Sequence, residues 1–215
     1  MASSKLTIYN DALRLVKERR LAALTDSREA RRLLDDAWGD GSTTGAVRHC
    51  LEIGQWTFAM RTAQIDYSPS ITPAFGYRYA FDQPADLARV AGICSDEWFK
   101  QPLLEYQDER RFWYADLQTI YVRWVSNGVS YGADISLWPE NFAKLVAAYL
   151  AKEIVGGLTG DADEARVMRH WDEMLKSAKS LDAMNRPTAF FPTGSWVRSR
   201  RQRVDRNPGN GGWSV

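Results

Sequence analysis

The sequence is poor in the residues on which most catalytic and metal sites depend. Its 215 residues include only two histidines and two cysteines, and it has no P-loop, G-x-G-x-x-G, G-x-S-x-G or H-E-x-x-H motif. A histidine-rich metal site is therefore excluded. Cys50 and Cys94 lie far apart without a partner motif, which argues against a disulfide framework or a structural zinc site. We expect two buried thiols in a reducing compartment.

The few candidate groups do not form a reactive set. His49 and Cys50 are neighbours, but adjacent residues on a helix point about 100° apart and make a poor nucleophile and base. His170 is typical of a flanking surface residue. The acidic run at 161–164 resembles part of a calcium loop without its further ligands, so we interpret it as a helix cap. The residues predict no enzyme, no cofactor and no metal site.

Targeting and membrane-spanning features are also missing. The first ten residues, MASSKLTIYN, contain no apolar signal core, so export through a cleaved signal is not indicated. The longest apolar stretch, Trp138–Leu158, carries four charged side chains, too many for a membrane span.

Aromatic residues and an uneven distribution of charge are prominent. Nine tryptophans and nine tyrosines suggest a packed sheet or large contact surfaces, and most of these rings are expected in the core. The net charge of +1 hides two opposite parts. Residues 186–215 contain six arginines and one aspartate, which gives +5, and residues 1–185 therefore carry −4.

The rest of the chain is organised around one helix, Trp138–Leu158. Pro139 suits its first turn, and Gly156, Gly157 and Gly160 are expected to end it. Apolar residues recur at helical spacing on two faces, which predicts a central helix covered on more than one side. These faces comprise Phe142, Leu145 and Tyr149, and Val146, Leu150 and Ile154.

Four further helices are predicted around it. They are Leu6–Leu24, a helix opening at the capping-box spacing Asp26–Glu29, Ala46–Ala63, and a last helix from Asp161 to about Met184. The last helix carries one apolar face, formed by Met168, Trp171, Leu175 and Ala178. That spacing favours antiparallel packing on the central helix.

Between the helices, the period of the pattern changes from helical to alternating. Four runs are β-rich: Tyr77–Phe81, Arg89–Cys94, Arg111–Ala115 and Ile120–Val125. The segment 115–118 is predicted to be a hairpin loop between the last two. The sequence therefore predicts an α+β fold. A bundle of about four to five helices (1–65 and 136–185) carries an inserted small antiparallel β-sheet (66–135), and an extended basic C-terminal arm (186–215) follows.

Several short segments, taken in order, resemble a known family. They are Ile8–Leu13, Leu21–Asp26, Trp56–Ala59 (W-x-F-A), Tyr77–Phe81, Pro84–Asp86 (P-x-D), Arg89–Val90, Asp116–Val125 and the helix from Trp138 to Thr159. Their order and spacing from Leu6 to Gly160 resemble the phage head-to-tail adaptor proteins of the tail tubular protein A type. The arm offers least to compare.

The resemblance implies both a fold and a role. Members of this family combine a helical bundle with a β insertion and assemble as a ring, commonly of about twelve copies, beneath the portal vertex. They join the DNA-filled head to the tail or nozzle protein and line the DNA channel, without known catalysis. For this chain it implies a virion protein at the head–tail interface, assembled in the host cytoplasm. Its partners would be a portal protein and a tail or nozzle protein, and packaged DNA would pass through without sequence-specific binding.

Two sets of residues are candidates for these contacts. In the arm, arginines suited to bidentate contact with portal carboxylates and two tryptophans are hypothesised to dock on the portal. They are Trp196, Arg198, Arg200, Arg201, Arg203, Arg206 and Trp213. Exposed aromatics are the candidate subunit contacts, namely Trp98, Phe99 and Trp113.

One other interpretation stays open at this point. Five arginines between Arg198 and Arg206 would give non-specific affinity for phosphate, lost steeply with salt, as in a nucleic-acid-binding protein. The acidic charge of residues 1–185 and the lack of a known binding module argue against it.

Overall fold

A computed structural model describes residues 4–40, 44–158 and 161–185, with side chains at 161 and 162 left out. The predicted arm, with all seven of its candidate docking residues, lies outside these ranges. The helices of the described part are α1 Lys5–Leu15, α2 Glu29–Trp38, α3 Ala46–Glu52, α4 Glu140–Leu158 and α5 Asp161–Met184. The strands are β1 Met60–Asp66, β2 Tyr79–Asp82, β3 Leu87–Cys94, β4 Gln107–Glu109, β5 Phe112–Ala115 and β6 Thr119–Ser126. The fold is α+β, as predicted.

Helix α4 is the centre of the larger core, which confirms the main prediction. Ten of its nineteen residues are buried, on more than one face, and it packs against α1, α2, α3 and α5. Trp138, just before the helix, stacks on Trp38 and donates its indole N–H to the carbonyl of Gly132 at 2.8 Å. Gly156 and Gly157 do not end the helix, which continues to Leu158. Two glycines within the last turn are compatible with helix when the rest of the helix is held by packing.

Helix α5 packs antiparallel on α4, as predicted. The amide of Asn141, at the start of α4, donates to the carbonyl of Ala178 near the end of α5 at 3.4 Å. Trp171 and Ala178 are buried, but Met168 is 40% exposed and Val167 is buried in its place. The predicted face was therefore wrong by one residue at this end, because a single-helix pattern does not specify how the helix is rotated against its neighbours.

The first helix ends nine residues earlier than predicted. Lys17, just beyond α1, has a left-handed backbone (φ 61°), which a continuing helix does not allow. Leu21 is nevertheless buried, because Asn10 holds the following loop in place. Its side chain accepts from the Leu21 N–H at 2.8 Å and donates to the Leu21 carbonyl. The prediction of helix as far as Leu24 was wrong, because the segment after α1 is a loop held against that helix.

The two predictions for the second and third helices also need correction. Helix α2 is preceded by Arg28 and has no side-chain cap, so Asp26 does not form the capping box. Helix α3 ends at Glu52, and after a single 3₁₀ turn at Thr57–Ala59 the chain enters β1. The prediction of helix to Ala63 was wrong. The chain leaves the helix so that Trp56 can insert into the core, where its indole N–H donates to the carbonyl of Cys50 at 2.7 Å.

Two antiparallel sheets of three strands, rather than one small sheet, form the β-rich part. Their strand orders are β1-β6-β3 and β2-β5-β4. All four predicted β-rich runs contain a strand, but β5 and β6 belong to different sheets, so the segment 116–118 is a crossing between sheets and the predicted hairpin was wrong. A second, smaller core lies in this part, built mainly on Phe81, Trp113, Ile120, Val122 and Trp124.

Candidate protein-docking surface

No cluster of three or more metal-ligating side chains exists in the described ranges. The ring of His49 stacks on Tyr149 with ring centroids 4.4 Å apart. Cys50 and Cys94 are free and buried, as predicted, and burial raises the pKa of both thiols. A thiol with a raised pKa is a poor nucleophile near neutral pH, because the thiolate is the reactive form. None of the helices described is long and apolar enough to cross a membrane.

The feature that stands out is the loop 95–101, which we call the Trp98 loop. Trp98 is 71% exposed at its tip, an unusual position for a side chain of this size. Asp96 organises the loop from within, since its carboxylate accepts from the backbone N–H of Gln101 at 2.7 Å and of Lys100 at 3.0 Å. The two ends are joined by the Ser95 N–H, which donates to the Gln101 carbonyl at 3.0 Å. The loop thus presents an exposed indole on a fixed backbone.

The negative charge of Asp96 supports the same loop conformation. Desolvation works to raise the pKa of Asp96, but the hydrogen bonds from the backbone N–H groups of Gln101 and Lys100 outweigh it and hold this pKa below its ordinary value. The carboxylate therefore stays ionised at neutral pH, and an ionised acceptor makes stronger hydrogen bonds than a neutral one.

Phe99 pins the Trp98 loop to the sheet behind it. Its backbone lies in the left-handed region (φ 54°), which is costly for an aromatic residue and persists only where the surroundings enforce it. The guanidinium of Arg123, on β6, lies 4.5 Å from the centre of the Phe99 ring. Phe99 is half-buried. It therefore anchors the loop, while its neighbour Trp98 points to solvent.

Trp113, the third predicted contact residue, does not belong to this surface. It is fully buried in the smaller core, and its indole N–H donates to Asp108 at 3.2 Å. Its role is packing, so its prediction as an exposed subunit contact was wrong. The pattern F-W-Y in β5 gave no signal of which ring faced inward, because aromatic residues suit both faces of a strand.

Further apolar side chains are exposed on loops and at the end of α5. Phe75 is 91% exposed, and other large apolar side chains with high exposure are Leu104, Val129 and Met184. A cavity of about 580 Å³ lies between the start of α4 and the end of α5, lined in part by Met174, Leu181 and Met184. Glu140 at its rim is paired with Lys144 at 2.6 Å, so the cavity offers contact area rather than a reactive group.

A polar cluster that sequence reasoning missed connects the β-rich part to the loop after β6. Asp86 accepts from Arg61 at 2.9 Å and from the Ser126 hydroxyl, and its backbone carbonyl accepts from the Asn127 N–H. Burial works to raise the pKa of Asp86, but these hydrogen bonds and the charge of Arg61 outweigh it and lower the pKa. Only the P-x-D spacing singled out Asp86 in the sequence, and its partners lie 25 and 40 residues away.

The comparisons with known proteins add no relationship to this picture. No protein-family model matches the chain, and no curated protein matches it. The resemblance to phage adaptors stays a prediction from the sequence.

Proposed function

We propose that this chain is a structural virion protein, a head-to-tail adaptor. Copies of it form a ring, of about twelve on the pattern of the family it resembles, between a portal protein and a tail or nozzle protein. The observation that carries the proposal is the Trp98 loop. An exposed tryptophan held on a fixed backbone is the kind of side chain that dominates the energy of a protein–protein contact.

The arrangement of the loop favours docking because little order has to be gained on binding. Association costs free energy when a loop must become ordered, in addition to the cost of immobilising side chains. The Trp98 loop avoids the cost of ordering its backbone, since contacts of Asp96 and Phe99 already fix it. A strained residue kept beside an exposed indole is also typical of binding segments.

The charge of the chain suits a channel through which DNA slides. Tight contacts between cations and phosphates would hold DNA in place, whereas an acidic surface does not. Residues 1–185 carry −4, so a lumen built from them would be compatible with passage of DNA. In this proposal the basic segment 186–215 serves a protein partner, the portal, and no chemistry is catalysed.

The test is the mass of the purified chain by light scattering, alone and mixed with its candidate portal. A ring of twelve chains of 24.4 kDa would weigh roughly 293 kDa. A monomer that becomes a ring only with portal supports an adaptor whose assembly is templated. A chain that stays monomeric with the portal overturns the proposal.

The docking role of the arm has its own experiment. Deletion of the residues after Gly194 should abolish portal binding while the helical and β-rich parts stay folded, as judged by an unchanged melting temperature. Portal binding that survives the deletion would remove the arm from the proposal.

A second candidate function is non-specific nucleic-acid binding through the five arginines between Arg198 and Arg206. Mobility shifts at low and physiological salt separate the two. Binding that is seen only below physiological salt is the weak electrostatic attraction expected of any basic arm, and it supports the adaptor. Binding retained at physiological salt, in a chain indifferent to portal, would favour the second function.

A further inference from the structure

The cavity between the start of α4 and the end of α5, which we call the α4–α5 cavity, is suited to an aromatic side chain. Its volume of about 580 Å³ lies within the range of ligand pockets, roughly 300–1,000 Å³. Met174, Leu181 and Met184 form part of its lining, and methionine sulfur makes favourable contacts with aromatic rings. Leu181 and Met184 are exposed, so this apolar lining is open to a partner.

The α4–α5 cavity also contains a polar group of the kind that an indole requires. Asn141 belongs to its lining, and the Asn141 amide nitrogen donates to the Ala178 carbonyl. An amide side chain carries an acceptor oxygen in addition to its donors. A tryptophan that becomes buried usually finds an acceptor for its N–H. The cavity therefore suits tryptophan better than a purely apolar ring.

Trp98 lies away from the α4–α5 cavity of its own chain. The end of α5 is held by Asp182 to Thr57, just before β1, and β1 starts opposite Val125 near the end of β6. The Trp98 loop instead follows Cys94, which pairs with Tyr121 near the start of β6. The segment from Tyr121 to Val125 spans roughly 13 Å at the rise of a β-strand. Because the loop and the cavity lie at opposite ends of this sheet, the two can meet only between molecules.

The charged side chains beside the two surfaces are complementary. Glu97 and Lys100 flank Trp98 in the loop, and both are exposed. Glu140 and Lys144 line the cavity and pair with each other at 2.6 Å. An exposed ion pair of this kind contributes little to stability, so its members can exchange partners at little cost. An inserted loop can thus place Glu97 beside Lys144 and Lys100 beside Glu140.

We propose that the Trp98 loop of one copy of this chain inserts its indole into the α4–α5 cavity of the next copy. The proposal rests on the adaptor function, which requires contact between copies, and it names the two faces that meet. Each copy offers one loop and one cavity, so the contact is heterologous. Repetition of such a contact closes into a ring when the rotation between copies allows it.

The size of the contact suits assembly on a template. The loop spans seven residues, fewer than the roughly 20–30 on each side of a standard interface. Free copies should therefore associate weakly. A portal that holds copies side by side raises their effective concentration, which strengthens a weak contact without any new interaction.

The first experiment tests the contact without a portal. Glu97→Cys in one chain and Lys144→Cys in another place thiols on the two sides of the proposed contact, whereas Cys50 and Cys94 are buried. A short bismaleimide should link an equal mixture of the two full-length variants, at about 500 µM, into dimers about tenfold faster than either variant alone. Neither variant alone brings two thiols together, because a heterologous contact never sets residue 97 against residue 97.

Two controls show that the linking depends on the cavity. Glu97→Cys mixed with Lys179→Cys, an exposed position on the other side of α5, should link only at the rate of the single variants. Addition of Ser177→Trp to the Lys144→Cys chain fills the cavity from an exposed position in its lining and should reduce linking to the same rate. A first mixture that links no faster than these controls would overturn the proposal.

The second experiment follows assembly on the candidate portal by light scattering. Ser177→Trp should prevent formation of the ring, and Lys179→Trp should assemble as the wild type does, both with unchanged melting temperatures. A Ser177→Trp chain that still forms the ring contradicts the proposed contact. If Ser177→Trp abolishes portal binding but leaves the linking between copies unchanged, the cavity takes the portal and the proposal is equally wrong.

The two experiments separate this contact from the adaptor function. A wild-type ring on the portal without linking between residues 97 and 144 removes the contact and leaves the adaptor. Linking in a chain that never assembles with the portal keeps the contact and removes the adaptor.

Discussion

The carboxylate of Asp182 accepts hydrogen bonds from both the backbone N–H and the hydroxyl of Thr57, at 2.9 Å and 3.2 Å. The two residues lie 125 positions apart in the chain. Asp182 is in the last turn of α5 and is buried, and Thr57 opens the 3₁₀ turn that leads into β1. One carboxylate therefore connects the end of the helical core to the point where the chain enters the sheets.

Removal of this carboxylate should destabilise the fold. Asp182→Ala leaves the Thr57 N–H without its partner in a part-buried position, and we expect a loss of about 2–3 kcal/mol in the free energy of unfolding. Urea denaturation measures it. Asp172→Ala, an exposed aspartate on the same helix, is the matched control and should change stability by less than about 0.5 kcal/mol. Equal effects of the two substitutions would show that the contact with Thr57 contributes little.

The two tryptophans predicted as contacts should respond in opposite ways. Trp98→Ala removes an exposed ring, so stability should change by less than about 0.5 kcal/mol while ring formation with the portal is lost. Trp113→Ala empties a fully buried site and should cost about 3–5 kcal/mol. Thermal melting and light scattering measure the two properties separately. Assembly by a folded Trp98→Ala variant equal to that of the wild type would exclude the indole as a contact.

The sequence predicted those parts of the fold whose pattern is local. The apolar faces of α4 are wide enough to identify a central helix without knowledge of its neighbours, and the alternation in β6 identifies a strand. The predictions that failed concerned segments whose structure depends on partners far away in the sequence. The helix predicted to Ala63 covered the first four residues of β1, because Met60–Asp66 alternates only weakly, with most of its side chains exposed, and its partner β6 lies far along the chain.

The candidate surface was predictable to a similar extent. Trp98 and Phe99 were predicted contacts as aromatic residues expected to be exposed, but nothing local distinguished the exposed Trp98 from the buried Trp113. Strand pairing and Asp108 place Trp113 inside, whereas Trp98 lies on a loop whose neighbouring residue, Phe99, is contacted by Arg123.

Stability should fall in acid through Asp86. Its pKa is depressed in the folded chain, as the hydrogen bonds from Ser126 and Arg61 outweigh burial. A group with a depressed folded pKa stabilises the fold fully above its unfolded pKa, near 3.9, and the contribution is lost as pH falls through the folded value. Urea midpoints measured from pH 7 to pH 2 should decline below about pH 4. Asp86→Asn should be less stable at pH 7 and show a flatter decline, whereas Asp172→Asn should follow the wild type.

Two glycine-to-alanine substitutions should change stability with opposite signs. At Gly54 an added Cβ would lie 2.5 Å from the indole of Trp56, which is buried and hydrogen-bonded and has no room to move. Gly54→Ala should therefore destabilise by about 1–3 kcal/mol. At Gly156, in α4, an added Cβ meets nothing within 4 Å. Since alanine restricts the unfolded chain and favours helix, Gly156→Ala should stabilise by about 0.4–1 kcal/mol. Urea denaturation of both variants measures the pair, and a stabilising Gly54→Ala would mean that Trp56 does not occupy the position described.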